Sequence, residues 1–161
     1  MAGTPLFMRD VTLNLRTPAG SAGARTTFEC DVSVAEIIPS PGDEVEYATL
    51  CPSGSYKSIG KTTYALHLVA VQRWAVDGLA AFLWTNDGQT ADFQYQAHGE
   101  GIAPSTTQPG MTGVVTLVAG NYGGEVQTWA ELDVTLPCTV KPTMTTAAFP
   151  ALEEAPAEAP A

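Results

Sequence analysis

The chain has 161 residues, enough for one domain that buries roughly two-thirds of its unfolded surface, so neither disulfides nor a metal is needed to complete a core. Seven Lys and Arg stand against 17 Asp and Glu, a formal charge of −10; this argues against tight sequence-independent nucleic-acid binding, which works by neutralising phosphates with cations. Cys30, Cys51 and Cys138 are odd in number and form no CxxC pair, so they are read as reduced thiols and not as a secreted disulfide framework.

Residues 1–17 show no basic stretch leading into an apolar run, so no signal peptide is expected. No segment reaches the roughly 20 apolar residues of a membrane-spanning helix. Val11, Leu13 and Leu15 alternate with Thr12, Asn14 and Arg16, the period of a strand over Leu6–Arg16. Phe28, Cys30, Val32 and Val34 alternate with Glu29, Asp31 and Ser33, predicting a second strand over Phe28–Ile38. Pro39–Lys61, with Pro41, Gly42, Pro52, Gly54 and Gly60, reads as a long loop. Loops of this length usually serve function or bind a partner. Thr62–Arg73 is a strand, apolar on both faces from Tyr64 onward and so expected to be covered on both sides.

Asp77 to Gly88 breaks the strand period. Asp77 can cap a helix, Leu79, Phe82 and Leu83 fall at helical spacing, and Gly88 can end it. A helix over Asp77–Thr85 is too short to be stable alone, so it must pack those three residues on a sheet. Further strands follow at Ala91–Ala97, Thr112–Ala119 and Thr128–Leu136, with a hairpin turn at GNYGG (120–124). The chain thus divides into a domain over 1–141 and a tail over 142–161, whose end (PALEEAPAEAPA) cannot build a core.

The motifs that carry chemistry are incomplete. GSYKSIGKT (54–62) has five residues between Gly54 and Gly60-Lys61, one more than a phosphate-binding loop, and leads into a strand where that loop must open a helix. His98 and Glu100 have the spacing of a zinc deaminase, but Pro137-Cys138 is not followed by the second cysteine such a site needs. There is no nucleophile elbow. No catalytic, metal or cofactor residue is assigned, no cofactor is expected, and the chain is read as a protein other than an enzyme.

The ordered segments FECDVSVAEIIPSPGDEVEYATLCPSG, KTTYALHLVAVQRW, GLAAFLWTNDGQTADFQYQAHGE and VVTLVAGNYGGEVQTWAELDVTLPC resemble the tail tube (major tail) proteins of long-tailed, siphovirus-like bacteriophages. They cover about Val11–Cys138. The resemblance implies a mainly β fold, a β-sandwich or barrel of about six strands plus one short helix. It also implies a structural virion protein, assembled in the host cytoplasm, whose hexameric rings stack into the tail tube through which DNA is delivered. Its partners would be other copies of itself, a tape measure protein, tail terminator and distal tail proteins, and passing DNA that is not tightly held.

On that plan Phe28–Ile38, Thr62–Arg73, Thr112–Ala119 and Thr128–Leu136 form the inner sheet, with Glu29, Asp31, Glu131 and Asp133 as candidate lumen residues. Leu6–Arg16, Ala91–Ala97 and the helix form an outer layer. The loop residues Asp43, Glu44, Tyr47, Leu50 and Tyr56 are candidates for contact with the next ring or subunit, and Met1–Met8 and the tail are secondary ones. The alternative reading is a phage head-decoration or adhesive β module; a small-molecule carrier would need a wide apolar cavity.

Overall fold

The computed structural model describes residues 11–20, 25–51, 54–98 and 102–149. Met1–Met8, the 150–161 part of the tail and the Glu100 of the His-x-Glu pair lie outside them. The elements run β1 (Thr12–Arg16), β2 (Thr26–Thr27), β3 (Val32–Ser40), β4 (Glu44–Ala48), β5 (Ser55–Ile59), β6 (Thr63–Val71), α1 (Leu79–Thr85), β7 (Thr90–Gln96), β8 (Gly110–Thr116), β9 (Glu131–Pro137) and β10 (Thr143–Thr145). They form three open antiparallel sheets, ordered β10-β8-β7-β1-β2, β3-β6-β9 and β4-β5.

One core lies between the two larger sheets. Residues directly opposite in an antiparallel pair share a face. In the three-stranded sheet Ala35 stands opposite Leu68, which stands opposite Val134; Leu66 faces Leu136 and Ala70 faces Leu132. All seven are buried. The five-stranded sheet answers with Leu13 opposite Tyr95 and Leu15 opposite Phe93, also buried. Alternation puts these side chains on one face of each strand, and removing that apolar face from water is the main force holding the sheets together.

The helix closes the core. Leu79, Ala80 and Leu83 are fully buried, and the Phe82 ring packs 5.1 Å from that of buried Phe28. Its N-cap is Gly78 and not Asp77, and no side chain of the cap residue satisfies the first turn. Asp31 does this from a distance: its Oδ2 accepts the Leu79 N–H at 3.1 Å. Gly78 has little freedom to change, because a Cβ there would fall on the Arg73 carbonyl. At the other end Asn86 Nδ2 donates to the Phe82 carbonyl at 2.8 Å, and Gly88 takes φ +79°, open to glycine without strain.

Several expectations are corrected. In place of a β-sandwich or barrel of about six strands, the described residues hold ten strands in three unclosed sheets. Pro39–Lys61 is mostly not loop but the β4–β5 hairpin, whose two five-residue strands are set among Pro41, Gly42, Pro52, Gly54 and Gly60, residues that read as loop. Thr112–Ala119 does not join an inner sheet; β8 pairs with β7 and β10. Gly120–Gly124 is therefore not a hairpin turn. The 117–130 segment carries the chain from one sheet to the other, with φ positive at Gly123. β6 is buried on one face only, through Leu66, Leu68 and Ala70, while Ala65, His67 and Val69 are half-buried. The stretch assigned to the tail from 142 begins with β10, an edge strand on β8.

Candidate functional site

Three surfaces carry side chains that the core does not use. The first is the outward face of β3-β6-β9. The strand read as starting at Phe28 begins at Val32, and a register shift between Val32 and Val34 reverses its alternation. A bulge places an extra residue on one strand and turns the following side chains to the opposite face. Val34, Glu36 and Ile38 consequently point out, and Ala35 points in.

Of the four residues expected to line a lumen, Glu131 and Asp133 are on this face and exposed. Glu29 is exposed in the turn before β3. Asp31 is buried, 8% exposed, and its carboxylate is committed to the Leu79 N–H and to Arg73 Nε at 2.8 Å.

At the centre of the face His67 joins three strands. Its Nδ1 lies 2.8 Å from Glu36 Oε1 on β3 and its Nε2 lies 2.9 Å from Asp133 Oδ1 on β9. Only the doubly protonated ring can donate to both. The hydrogen bond to Glu36, then that to Asp133, raise the His67 pKa, with burial opposing. Glu36 was not singled out in the sequence, because the alternation counted from Phe28 gives no warning of the bulge. The two carboxylates sit on opposite sides of the ring, and among the described residues no group of three His, Cys, Asp or Glu could hold a metal.

The second surface is the β4–β5 hairpin. Every residue of both strands is exposed. Its register sorts it into two faces. Tyr47 opposite Tyr56 and Val45 opposite Ser58 make one, and Glu44 opposite Ile59 and Glu46 opposite Lys57 make the other. Lys57 Nζ pairs with Glu44 at 2.9 Å and reaches Glu46 at 3.8 Å. Leu50, at the tip, is fully exposed. The arm is pinched at its root, where the Gly60 N–H donates to the Asp43 carbonyl at 3.0 Å and a Cβ on Gly42 would strike the Gly60 backbone at 2.6 Å or less. Asp43, Glu44, Tyr47, Leu50 and Tyr56 thus all belong to one projecting arm.

The third surface is aromatic. The Trp74 ring packs 6.0 Å from Trp84 on α1 and 5.2 Å, edge to face, from Tyr122 in the sheet-to-sheet connection. Gln72 fixes this connection: its Nε2 donates to the carbonyls of Gly123 and Glu131, and its Oε1 accepts the Gly123 N–H. Asn121 in turn bonds the Glu131 carbonyl and the Asp133 N–H, covering part of the outer edge of β9 as a strand would. A cavity of about 340 Å³ beside β3, lined by Ala35, Ile37, Tyr95, Ala97 and Met111, is mainly apolar, with Glu36 and His98 at its wall.

Comparison of the chain with models of known protein families and with curated proteins finds no match.

Proposed function

We propose that the chain is a structural subunit that assembles with copies of itself into stacked rings, as the tail tube of a long-tailed bacteriophage, where it forms a conduit for DNA. The observation that carries this reading is the β4–β5 arm. A two-stranded hairpin alone is marginal in water, and this one holds Val45, Tyr47 and Tyr56 exposed on one face, with none of the described residues covering them. Such an arm is built to be covered by something else.

The open edges support the same reading. Among the described residues β3 pairs with β6 alone, leaving its other edge unpaired, a surface that invites association. Head-to-tail contacts around a ring satisfy such edges without leaving a free end. Glu36, Glu131 and Asp133 on the outward sheet face would repel DNA and keep it from adhering as it passes. Tape measure, terminator and distal tail proteins are the further partners that this role requires.

The test is negative-stain microscopy of the purified protein beside a variant lacking Gly42–Ser58. Because the arm root is pinched, the excision joins chain ends that already meet. The wild type is expected to form rings or tubes about ten nanometres wide, the scale of hexamers of domains this size. The deletion is expected to leave folded, unassembled protein. Tubes formed equally by both would sink the reading. Small discrete particles from the wild type would favour a head-decoration or adhesive module, for which the exposed Trp74–Trp84–Tyr122 cluster is the supporting observation.

A further inference from the structure

The three-stranded sheet gives the molecule two unlike ends. β3 leaves it at Ser40, β6 enters at Thr63 and β9 leaves at Pro137, so the arm springs from that end. β6 leaves at Val71 and β9 enters at Glu131 at the other, where Gln72 ties the connection that carries Tyr122. Nine residues at about 3.3 Å each place the ends on the order of 30 Å apart.

The ends also differ in charge. All three lysines of the sequence lie at the arm end: Lys57 on the arm, Lys61 at its root and Lys141 just beyond β9. They balance Asp43, Glu44 and Glu46. The aromatic end has Arg73 against Asp31, Asp77, Glu125 and Glu131, and is acidic.

The aromatic rings touch one another at 5.2 and 6.0 Å, which leaves no slot between them for a small ligand. Their outer surfaces face solvent, with Trp74 42%, Trp84 48% and Tyr122 77% exposed. Val76, Val126 and Trp129 are exposed on the adjoining loops. An exposed cluster of Trp and Tyr is the kind of surface that anchors protein interfaces.

We propose that the apolar face of the arm of one copy (Val45, Tyr47, Tyr56 and the tip Leu50) docks on the Trp74–Trp84–Tyr122 surface of the next copy, with Lys61 and Lys141 meeting its carboxylates. The inference rests on the self-assembling role proposed above and names the receiving surface. Since arm and receptor are different patches at opposite ends, the contact is heterologous. With the two patches at opposite ends of the sheet, successive copies stack along an axis instead of pairing face to face.

Two variants test it in the full chain. Tyr47→Ser with Tyr56→Ser disables the arm, and Trp84→Gln with Tyr122→Ser disables the receptor; circular dichroism checks that each is folded. Each alone is expected to stop at its lowest assembly, one ring or one subunit. Mixed, the intact arm of one meets the intact receptor of the other, giving particles of twice the mass by sedimentation and nothing longer. A receptor variant that polymerises like wild type, or a mixture of folded variants that does not pair, overturns the inference and leaves the tube reading standing. A wild type that forms no polymer overturns the tube reading itself. Independently of any variant's folding, a photo-crosslinking residue replacing Leu50 in otherwise wild-type protein should attach between Trp74 and Trp84 or between Asn121 and Trp129 of another copy. Attachment to β3 or β9 instead overturns the inference.

Discussion

His67 shows what a single residue does when three strands each bring a polar group to one face. It bonds Glu36 and Asp133 at once, which only its charged form can do, and its pKa is raised. An unperturbed histidine, the reference for the unfolded chain, titrates near 6.5. A pKa that is higher when folded means that the folded state holds the proton longer as pH rises. The stabilisation is complete below the unfolded value and is lost as pH climbs through the folded one. The melting temperature of wild type should therefore exceed that of His67→Gln most clearly at about pH 5.5 to 6, with the gap closing as pH climbs through the raised folded-state pKa. A gap that does not change with pH would show that the two ion pairs contribute nothing.

Asp31 works at the same scale but in the interior. It replaces the missing cap of α1 and holds Arg73, which also reaches Asp77 at 3.0 Å. Asp31→Ala leaves the Leu79 N–H buried without an acceptor and should cost about 2 kcal/mol in urea unfolding. Asp31→Asn keeps an acceptor and should cost less. Equal losses in the two variants would mean that the charge, and not the cap, is what matters. Asp92 is a quieter case. Burial pushes its pKa up, but the Gly20 N–H and the charges of Arg16 and Arg25 outweigh this and hold it below the usual carboxylate range.

Among the elements, the helix and the arm are opposites. α1 has only seven residues and no acidic first turn or basic last turn, so its stability comes from Leu79, Ala80 and Leu83 in the core. The arm has a regular register and no core at all. Its stability depends on its surroundings, and hydrogen exchange measures that directly. Amides of Glu44–Ala48 and Ser55–Ile59 should exchange early in dilute protein and become protected in the assembled form, while those of β6 stay protected in both. Arm amides equally slow in both states would contradict a covering partner. The bulge in β3 acts at this scale too, since one extra residue decided which carboxylates share a face with His67.

At the scale of the molecule the deciding property is that, among the described residues, no sheet closes. Three sheets leave open edges, the arm stands apart from the core, and aromatic rings lie exposed at the far end. A lone domain with these features carries several aggregation hazards; a ring or tube turns each into a contact. The diameter expected in the microscope belongs to this scale, because domain size and the number of copies set it.

Much of the local organisation was legible in the sequence. Period-2 alternation marks β1, β7 and β9, and Leu79, Phe82 and Leu83 mark the helix, because one-sided burial imposes its period on the chain; β6 shows only as an apolar run, which does not tell its buried face from its half-buried one. The candidate site was legible in part. Tyr47, Leu50 and Tyr56 stand out as apolar residues in a polar segment, and Glu131 and Asp133 as carboxylates on one strand face. Tertiary structure alone decided the rest. That β8 joins β7 and β10, that Asp31 turns inward to cap a helix 48 residues away, and that Glu36 meets His67 all depend on partners distant in the chain. Alternation records which residues are buried, but carries no information about which strand lies alongside or where a bulge reverses the count.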